Sequence, residues 1–492
     1  MAALSCAKKP PPAEAPPRPL HLAVDGPIST LDPTYTEHTT FSVLSNLYEP
    51  LVDYDRNLRL VPALASEWST PDDKTWLLKL RDGVRFHDGT ALTGEDAAAA
   101  LLRAKDDPIS GLRGRLETIA AVDVPRPGEL RIRTARPDAL LLHALVGVLI
   151  GKGKTRAEID AHPVGTGPYR LVRWDLRTLT EIEAFPQYWR GPARIARALF
   201  VPVPTGDSRV LALKEGRLDV GVVPAEVVPD RKRGFRIADS PGLTTYYLFL
   251  STQPAAGRDN PLRQKPVRQA LALAIDRRAV SRKAAGHEGA AAFQMVPPSI
   301  FGYAADLPPP PFDAAAARQL LERAHLAPVR LELVHRDGAD ALAVAQTVKS
   351  MLDAAGFQIR LRVLPWPELL AASSSQSLPL YLSRWAFDNG DAGSFLRDCL
   401  RSRHPPSPDG TYNAGYSNPE MDRLIDESAS AFDDHVRLAT FARIARLAQE
   451  DVPLVPLFNQ PDIWGVAAGV EWQPRLDARL LVYEMSRRDG PG

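Results

Sequence analysis

The chain has 492 residues and is 45% hydrophobic, enough apolar material for several buried cores, and its length suggests roughly two to four domains. Its 60 Lys+Arg against 59 Asp+Glu leave no basic excess, which argues against a nucleic-acid binder, since displacing counterions from phosphates needs clustered positive charge. The two cysteines, Cys6 and Cys399, exclude a disulfide framework and a Cys-rich zinc site, and no apolar run of about 18 residues is present to span a membrane as a helix.

In chain order, Ala3-Leu4-Ser5-Cys6 reads like the end of a bacterial lipoprotein signal, in which the cysteine carries the lipid. The charged and apolar regions that normally precede it are missing. Lys8 to Pro19 is a Pro-rich spacer; as polyproline II at ~3.1 Å per residue it would hold a domain on the order of 35 Å from a bilayer. Residues 1–19 are therefore expected to be a truncated signal and tether, with Cys6 as the lipidation site.

Folded sequence starts near Leu20. His21–Val24 has the composition of a strand, Asp32-Pro33 a turn, and Thr39–Leu51 the apolar spacing of a helix. Thr75–Arg81 and Val84–Phe86 are predicted strands, the second closed by a His87-Asp88-Gly89 turn. Thr93–Asp96 resembles a capping box with Asp in place of Glu, opening the helix Ala97–Lys105. Glu129–Thr134 is a short strand, and Gly165–Pro168 a turn feeding the strand Tyr169–Trp174. Val267–Val280, Ala314–Ala324, Ala341–Ala355 and Leu438–Glu450 are predicted helices, with a strand at Gln358–Val363. Strands and helices mix without a 20–50-residue repeat, so the class is α/β with mixed sheets.

Catalytic signatures are absent. Gly153-Lys154-Thr155 resembles the end of a phosphate-binding loop, but the glycine that should open it falls at Val148, with Gly147 one out of register. No nucleophile elbow, zinc-protease motif or dinucleotide fingerprint occurs, and no two histidines stand at i and i+4. His87 fits a turn residue better than a metal ligand. Neither enzymatic activity, a cofactor nor a metal site is expected.

Several segments, in order, resemble the family-5 extracellular solute-binding proteins, which include dipeptide, oligopeptide and nickel binders. They are Ser29–Pro33, Asn46–Leu51, Leu60–Trp68, Leu78–Asp96, Pro163–Tyr169, Tyr188-Trp189, Leu213–Asp219, Val267–Asp276, Gly415–Pro419 with Asp422, and Val452–Leu457. The resemblance implies a two-lobed clamshell of the type II, peptide class. One lobe would comprise 20–47, 163–246 and 470–492, with an extra domain, 48–162, inserted in it. The second lobe would be 248–468, with crossovers near Tyr247-Leu248-Phe249 and Gly465-Val466. Closure of such lobes buries a ligand.

The same resemblance implies a site. Arg384-Trp385-Ala386-Phe387-Asp388-Asn389-Gly390-Asp391 is similar to the stretch in which peptide binders hold the ligand's α-ammonium with an aspartate three residues after the tryptophan, here Asp388. The wording is closest to the dipeptide-binding branch. It departs from that branch at Arg384, where glycine is usual and whose side chain could bind a ligand carboxylate or fill a subsite, and at Ala392-Gly393, where proline is usual. Arg336 would face the ligand's carboxylate or be a solvated loop residue. Trp385 would form an apolar wall or a core aromatic, and Asp32 to Thr36 would lend backbone bonds. Asp388 and Asp391 could instead only shape the Asn389-Gly390 turn. Cys399 is expected to be a free thiol. The expected partners are a small peptide or peptide-like ligand, ABC permease subunits and a membrane surface reached by the lipid anchor, with the protein itself a monomer outside the cytoplasmic membrane. A metal-complex or tetrapyrrole carrier on the same scaffold, and a sensory ligand-binding module, are the alternatives.

Overall fold

The computed structural model describes residues 18–224, 234–253, 260–285, 290–387, 389–404 and 409–488. Ten strands among them form one sheet: β1 (Leu20–Val24), β2 (Tyr169–Asp175), β3 (Leu179–Ala184), β4 (Arg197–Pro202), β5 (Val220–Val222), β6 (Phe235–Leu250), β7 (Val329–Arg336), β8 (Phe357–Leu364), β9 (Leu380–Ala386) and β10 (Leu454–Ala467). Their spatial order is β2-β3-β4-β1-β5-β10-β6-β9-β7-β8. The parallel pairs β1/β4 and β7/β8 mark α/β crossovers, and helix Ala339–Ala354 joins the latter pair with Val344, Ala345, Val348 and Leu352 turned inward.

The 16-residue β6 and the 14-residue β10 pair antiparallel and connect the two halves of the sheet. In one half β10 has β5 on its far edge; in the other β6 has β9 on its far edge. The β6–β10 register shifts between Ser240 and Thr244 and again between Tyr246 and Tyr247, the second beside the expected Tyr247 crossover. Gly242, at φ 70°, sits in the first shift, where a Cβ would stand 1.8 Å from the Gln460 carbonyl oxygen. Only glycine fits there.

The segment between β1 and β2 carries a four-stranded antiparallel sheet, ordered Ala65–Asp72, Thr75–Leu80, Glu129–Thr134, Ile119–Asp123, with helix Gly94–Asp106 packed on it through Ala97, Leu101 and Ala104. The capping box forms with Asp in the third position: the Thr93 N–H donates to Asp96 at 3.0 Å and the Asp96 N–H to Thr93 Oγ1 at 3.2 Å.

Three predicted elements differ. The first helix is His38–Leu47, not Thr39–Leu51, because Glu49 precedes Pro50 and is held extended, where both pair with Leu149 and Ile150. Val84–Phe86 is no strand but a single bridge, Arg85 to Ala91, because the His87–Gly89 turn follows at once. The helix predicted over Val267–Val280 is two, Lys265–Leu273 and Arg277–Ala285, split where Asp276 accepts from the N–H groups of Arg278 and Ala279.

Period-two alternation assigns β6 and β9 to two cores. Tyr247, Phe249 and Tyr381 join a cluster that reaches Leu51, Trp76 and Leu101 of the segment between β1 and β2. Tyr246, Leu248 and Leu382 face Leu271, Val348 and Leu352. A third core, with Leu22, Tyr48, Phe200 and Trp464, lies under β1.

Candidate ligand-binding cleft

A cavity of about 540 Å³ lies where β9 meets the loop Gly111–Arg115, walled also by Trp366 and Tyr412 and floored by Arg397, Asp398 and Cys399. The floor is a π turn, Leu396–Leu400, in which Arg397 Nε donates to Asp398 Oδ1 at 3.2 Å. Burial raises the Asp398 carboxyl pKa, against the pull of Arg397. Cys399 is a free thiol, pushed well up by burial, so it is an inert part of the wall.

The backbone of β9 gives the cavity its chemistry. Phe387 donates its N–H to the Leu243 carbonyl at 3.0 Å. Bonded residues of an antiparallel pair recur at every second position. Ser383, Trp385 and Phe387 therefore turn their N–H and C=O groups toward β6, whereas Arg384 and Ala386 turn theirs to the outer edge. The neighbour on that edge, β7, pairs with β9 at Tyr381 alone. Beyond it, Arg384 and Ala386 have no partner strand among the described residues, and both line the cavity.

Alternation also separates the two predicted side chains. Trp385 is half-buried on the cavity side, its ring edge-on to Phe395 and to Tyr412 at 5.7 Å each. It is both a core aromatic and a cavity wall. The Arg384 side chain leaves the opposite face and is exposed, with Nη1 3.4 Å from the Tyr246 hydroxyl.

The turn that follows is clasped by the segment between β1 and β2. The Asn389 carbonyl accepts from the Tyr54 hydroxyl and lies 3.0 Å from His143 Nδ1, while Asn389 Nδ2 donates to Ser394 Oγ. Gly390, at φ 67°, bonds through its carbonyl to the Phe301 N–H at 3.0 Å, and a Cβ on it would meet the Leu58 carbonyl oxygen at 2.9 Å. Asp391 is fully buried. Its oxygens lie 3.0 and 2.8 Å from Arg437 Nη2 and Nη1, and the Gly393 N–H donates to it at 2.7 Å, capping the turn of helix Ala392–Phe395. Arg437 lies between the rings of Phe301 and Phe441, 5.2 Å from each. Burial lowers the His143 pKa; Asp391, 3.8 Å away, opposes that shift.

Other predicted residues lie elsewhere. Asp32 is buried and held by Arg103, at 2.9 and 2.5 Å, and by the N–H and hydroxyl of Thr34. Burial works against its charge, but these bonds outweigh it and hold the carboxyl below its ordinary range. Its work is to fix the 30–34 turn; nearby Thr36 lines a smaller cavity, about 80 Å³, with Tyr54, His143, Asn389 and Arg115. Arg336, the last residue of β7, does not line the main cavity: its guanidinium pairs with Asp340 and donates to the Asp337 carbonyl. Asp388 and Cys6 lie outside the described residues. His87 is a turn residue whose ring bonds to the Gly165 N–H and lies 3.1 Å from the Gly167 carbonyl, with burial lowering its pKa to about 4. Thr155 of the loop-like Gly153-Lys154-Thr155 caps helix Arg156–Ala161 with Glu158. Among the described residues no group of three His, Cys, Asp or Glu is placed to hold a metal.

Sequence reasoning missed Arg115, which borders both cavities, and Trp366 and Tyr412. Their positions in the chain are remote from β9. Pro365-Trp366-Pro367 announces a helix start but not a wall.

Comparison with known proteins agrees with this architecture. The chain is 26% identical over 458 residues to the probable di/tripeptide-binding protein 5 of Pseudomonas aeruginosa (strain UCBPP-PA14), covering 85% of each. It is 26% identical over 460 residues to the glutathione-binding protein GsiB of Shigella boydii serotype 4 (strain Sb227), covering 89% of this chain and 88% of that one. The fold matches that of the periplasmic binding protein DppA from Helicobacter pylori, solved in complex with the peptide STSA, with a TM-score of 0.76, 20% identity and coverage of 95% and 98%. The model for the middle region of the bacterial extracellular solute-binding proteins, family 5, matches residues 59–406, well over half of the chain, and the protein belongs to that family.

Proposed function

We propose that the protein captures a short peptide outside the cytoplasmic membrane and delivers it to the permease of an ABC importer. The observation that carries this reading is the unpaired edge of β9 at Arg384 and Ala386, facing a cavity of about 540 Å³. An extended peptide added there would take main-chain hydrogen bonds, which tolerate any side chain, while Trp366, Trp385 and Tyr412 wall the space for one of its side chains. The names of the di/tripeptide-binding relative and of the peptide-bound structure support the reading. Asp388, two residues past Ala386, is assigned the ligand's α-ammonium. A carboxylate in a closed cleft needs a cation, because burying it alone is costly and charge-assisted bonds are the strong ones.

Calorimetry with wild type and Asp388→Asn, using free and N-acetylated forms of a bound peptide, tests this. Loss of one partner of such a pair costs ~3–5 kcal/mol, about two to four decades in Kd, and acetylation of the peptide should weaken wild-type binding in the same sense. Binding of the free peptide by a folded Asp388→Asn within about threefold of wild type makes Asp388 a turn residue. The reading includes tethering through a lipidated Cys6, motivated by Ala3–Cys6 and the Pro-rich spacer. Expression behind a complete lipoprotein signal should give a membrane-bound, palmitate-labelled product; a soluble, unlabelled one contradicts it.

A further inference from the structure

We propose that Arg384 is a charge-selecting residue of the cleft, which reads a carboxylate on the ligand residue lying beside it. The inference rests on the ligand being a peptide added to the edge of β9. In such a pairing, side chains directly opposite each other share a face of the sheet, so the ligand residue beside Arg384 projects on the same face as its guanidinium. Among the described residues the Arg384 guanidinium donates to the Tyr246 hydroxyl, and no carboxylate forms an ion pair with it. Tyr246 itself is stacked on Phe458, with ring centroids 4.6 Å apart, an uncharged floor. A ligand carboxylate beside Arg384 completes a cross-strand opposite-charge pair. It comes from an acidic side chain or from the free C-terminus of a short peptide.

Calorimetry on the full chain, with alanine tripeptides carrying one Glu or one Gln at each position in turn and with free or amidated C-termini, separates the two sources. In wild type at low salt, one Glu position or the free C-terminus should be favoured over its neutral counterpart by about fivefold. The preference should shrink as salt screens it and vanish in Arg384→Gln. A favoured Glu position identifies an acidic side chain; a preference for acid over amide alone identifies the C-terminus. Equal binding of charged and neutral peptides by wild type overturns the inference and leaves the peptide reading standing. So does a preference that persists in Arg384→Gln, or one that is insensitive to salt, a readout that needs no variant. Failure of every tripeptide to bind wild type removes the peptide reading and this inference with it.

Discussion

At Asn389–Asp391 the polar groups meet partners within the protein: Tyr54 and His143 at the Asn389 carbonyl, Phe301 at the Gly390 carbonyl, Arg437 and the Gly393 N–H at Asp391. A few residues earlier, Arg384 and Ala386 turn main-chain groups to an edge with no strand beside it among the described residues. The same rule governs both stretches. A polar group withdrawn from water without a partner costs about 1–3 kcal/mol, so the buried turn carries its partners within the fold, whereas the edge at the exposed Arg384 and Ala386 can be solvated until, in the function proposed above, a ligand takes its place. The turn is the rigid member of the pair and holds the edge in place.

The largest expected effect lies in the fixed member. Arg437→Met leaves Asp391 fully buried without its cation, and denaturant unfolding should show a loss of about 3–5 kcal/mol. A loss below ~1 kcal/mol would mean that Asp391 is not held as described. Glu49 sharpens the comparison as an intermediate case. Its carboxyl accepts from the Tyr188 hydroxyl at 2.8 Å and from Trp189 Nε1 at 2.9 Å, yet burial pushes its pKa up to about 7, with Arg190 only partly opposing the shift. The unfolded chain ionises this group near 4.5. The unfolded state therefore binds fewer protons between about pH 4.5 and 7, and stability falls as pH rises through that window, by up to about 3 kcal/mol. Glu49→Gln removes this contribution, so wild type should lose stability relative to the variant between pH 5 and 8. Parallel pH profiles would contradict the assignment.

Much of the fold was legible because local signals agreed with it. The Thr93–Asp96 box, the apolar stripe of Ala339–Ala354 and the strand Glu129–Thr134 all stand where spacing and capping placed them. Two errors had local causes that periodicity alone overlooks: Pro50 stops a helix whose apolar spacing runs on, and Asp276 starts a new helix inside an unbroken stripe. The site was less legible. Family spacing pointed to Trp385, which lines the cavity, and to the Asn389-Gly390 turn after it. Of the two readings of Arg336, the structure shows its guanidinium paired with Asp340, four residues on at the start of helix Ala339–Ala354, a contact that family spacing does not reveal. Arg115 and Tyr412 reach the cavity only through the topology. The open edge of β9 is itself a product of strand order, since it exists because β7 leaves β9 after Tyr381.

Residue-resolved amide hydrogen exchange across β9, with and without a bound peptide, tests that edge most directly. In the free protein the Arg384 and Ala386 amides should exchange fast while Trp385 and Phe387, bonded toward β6, stay protected; peptide should then slow Arg384 and Ala386. Equal protection of all four amides in the free protein, or a bound peptide that leaves Arg384 and Ala386 as fast as before, would contradict the account.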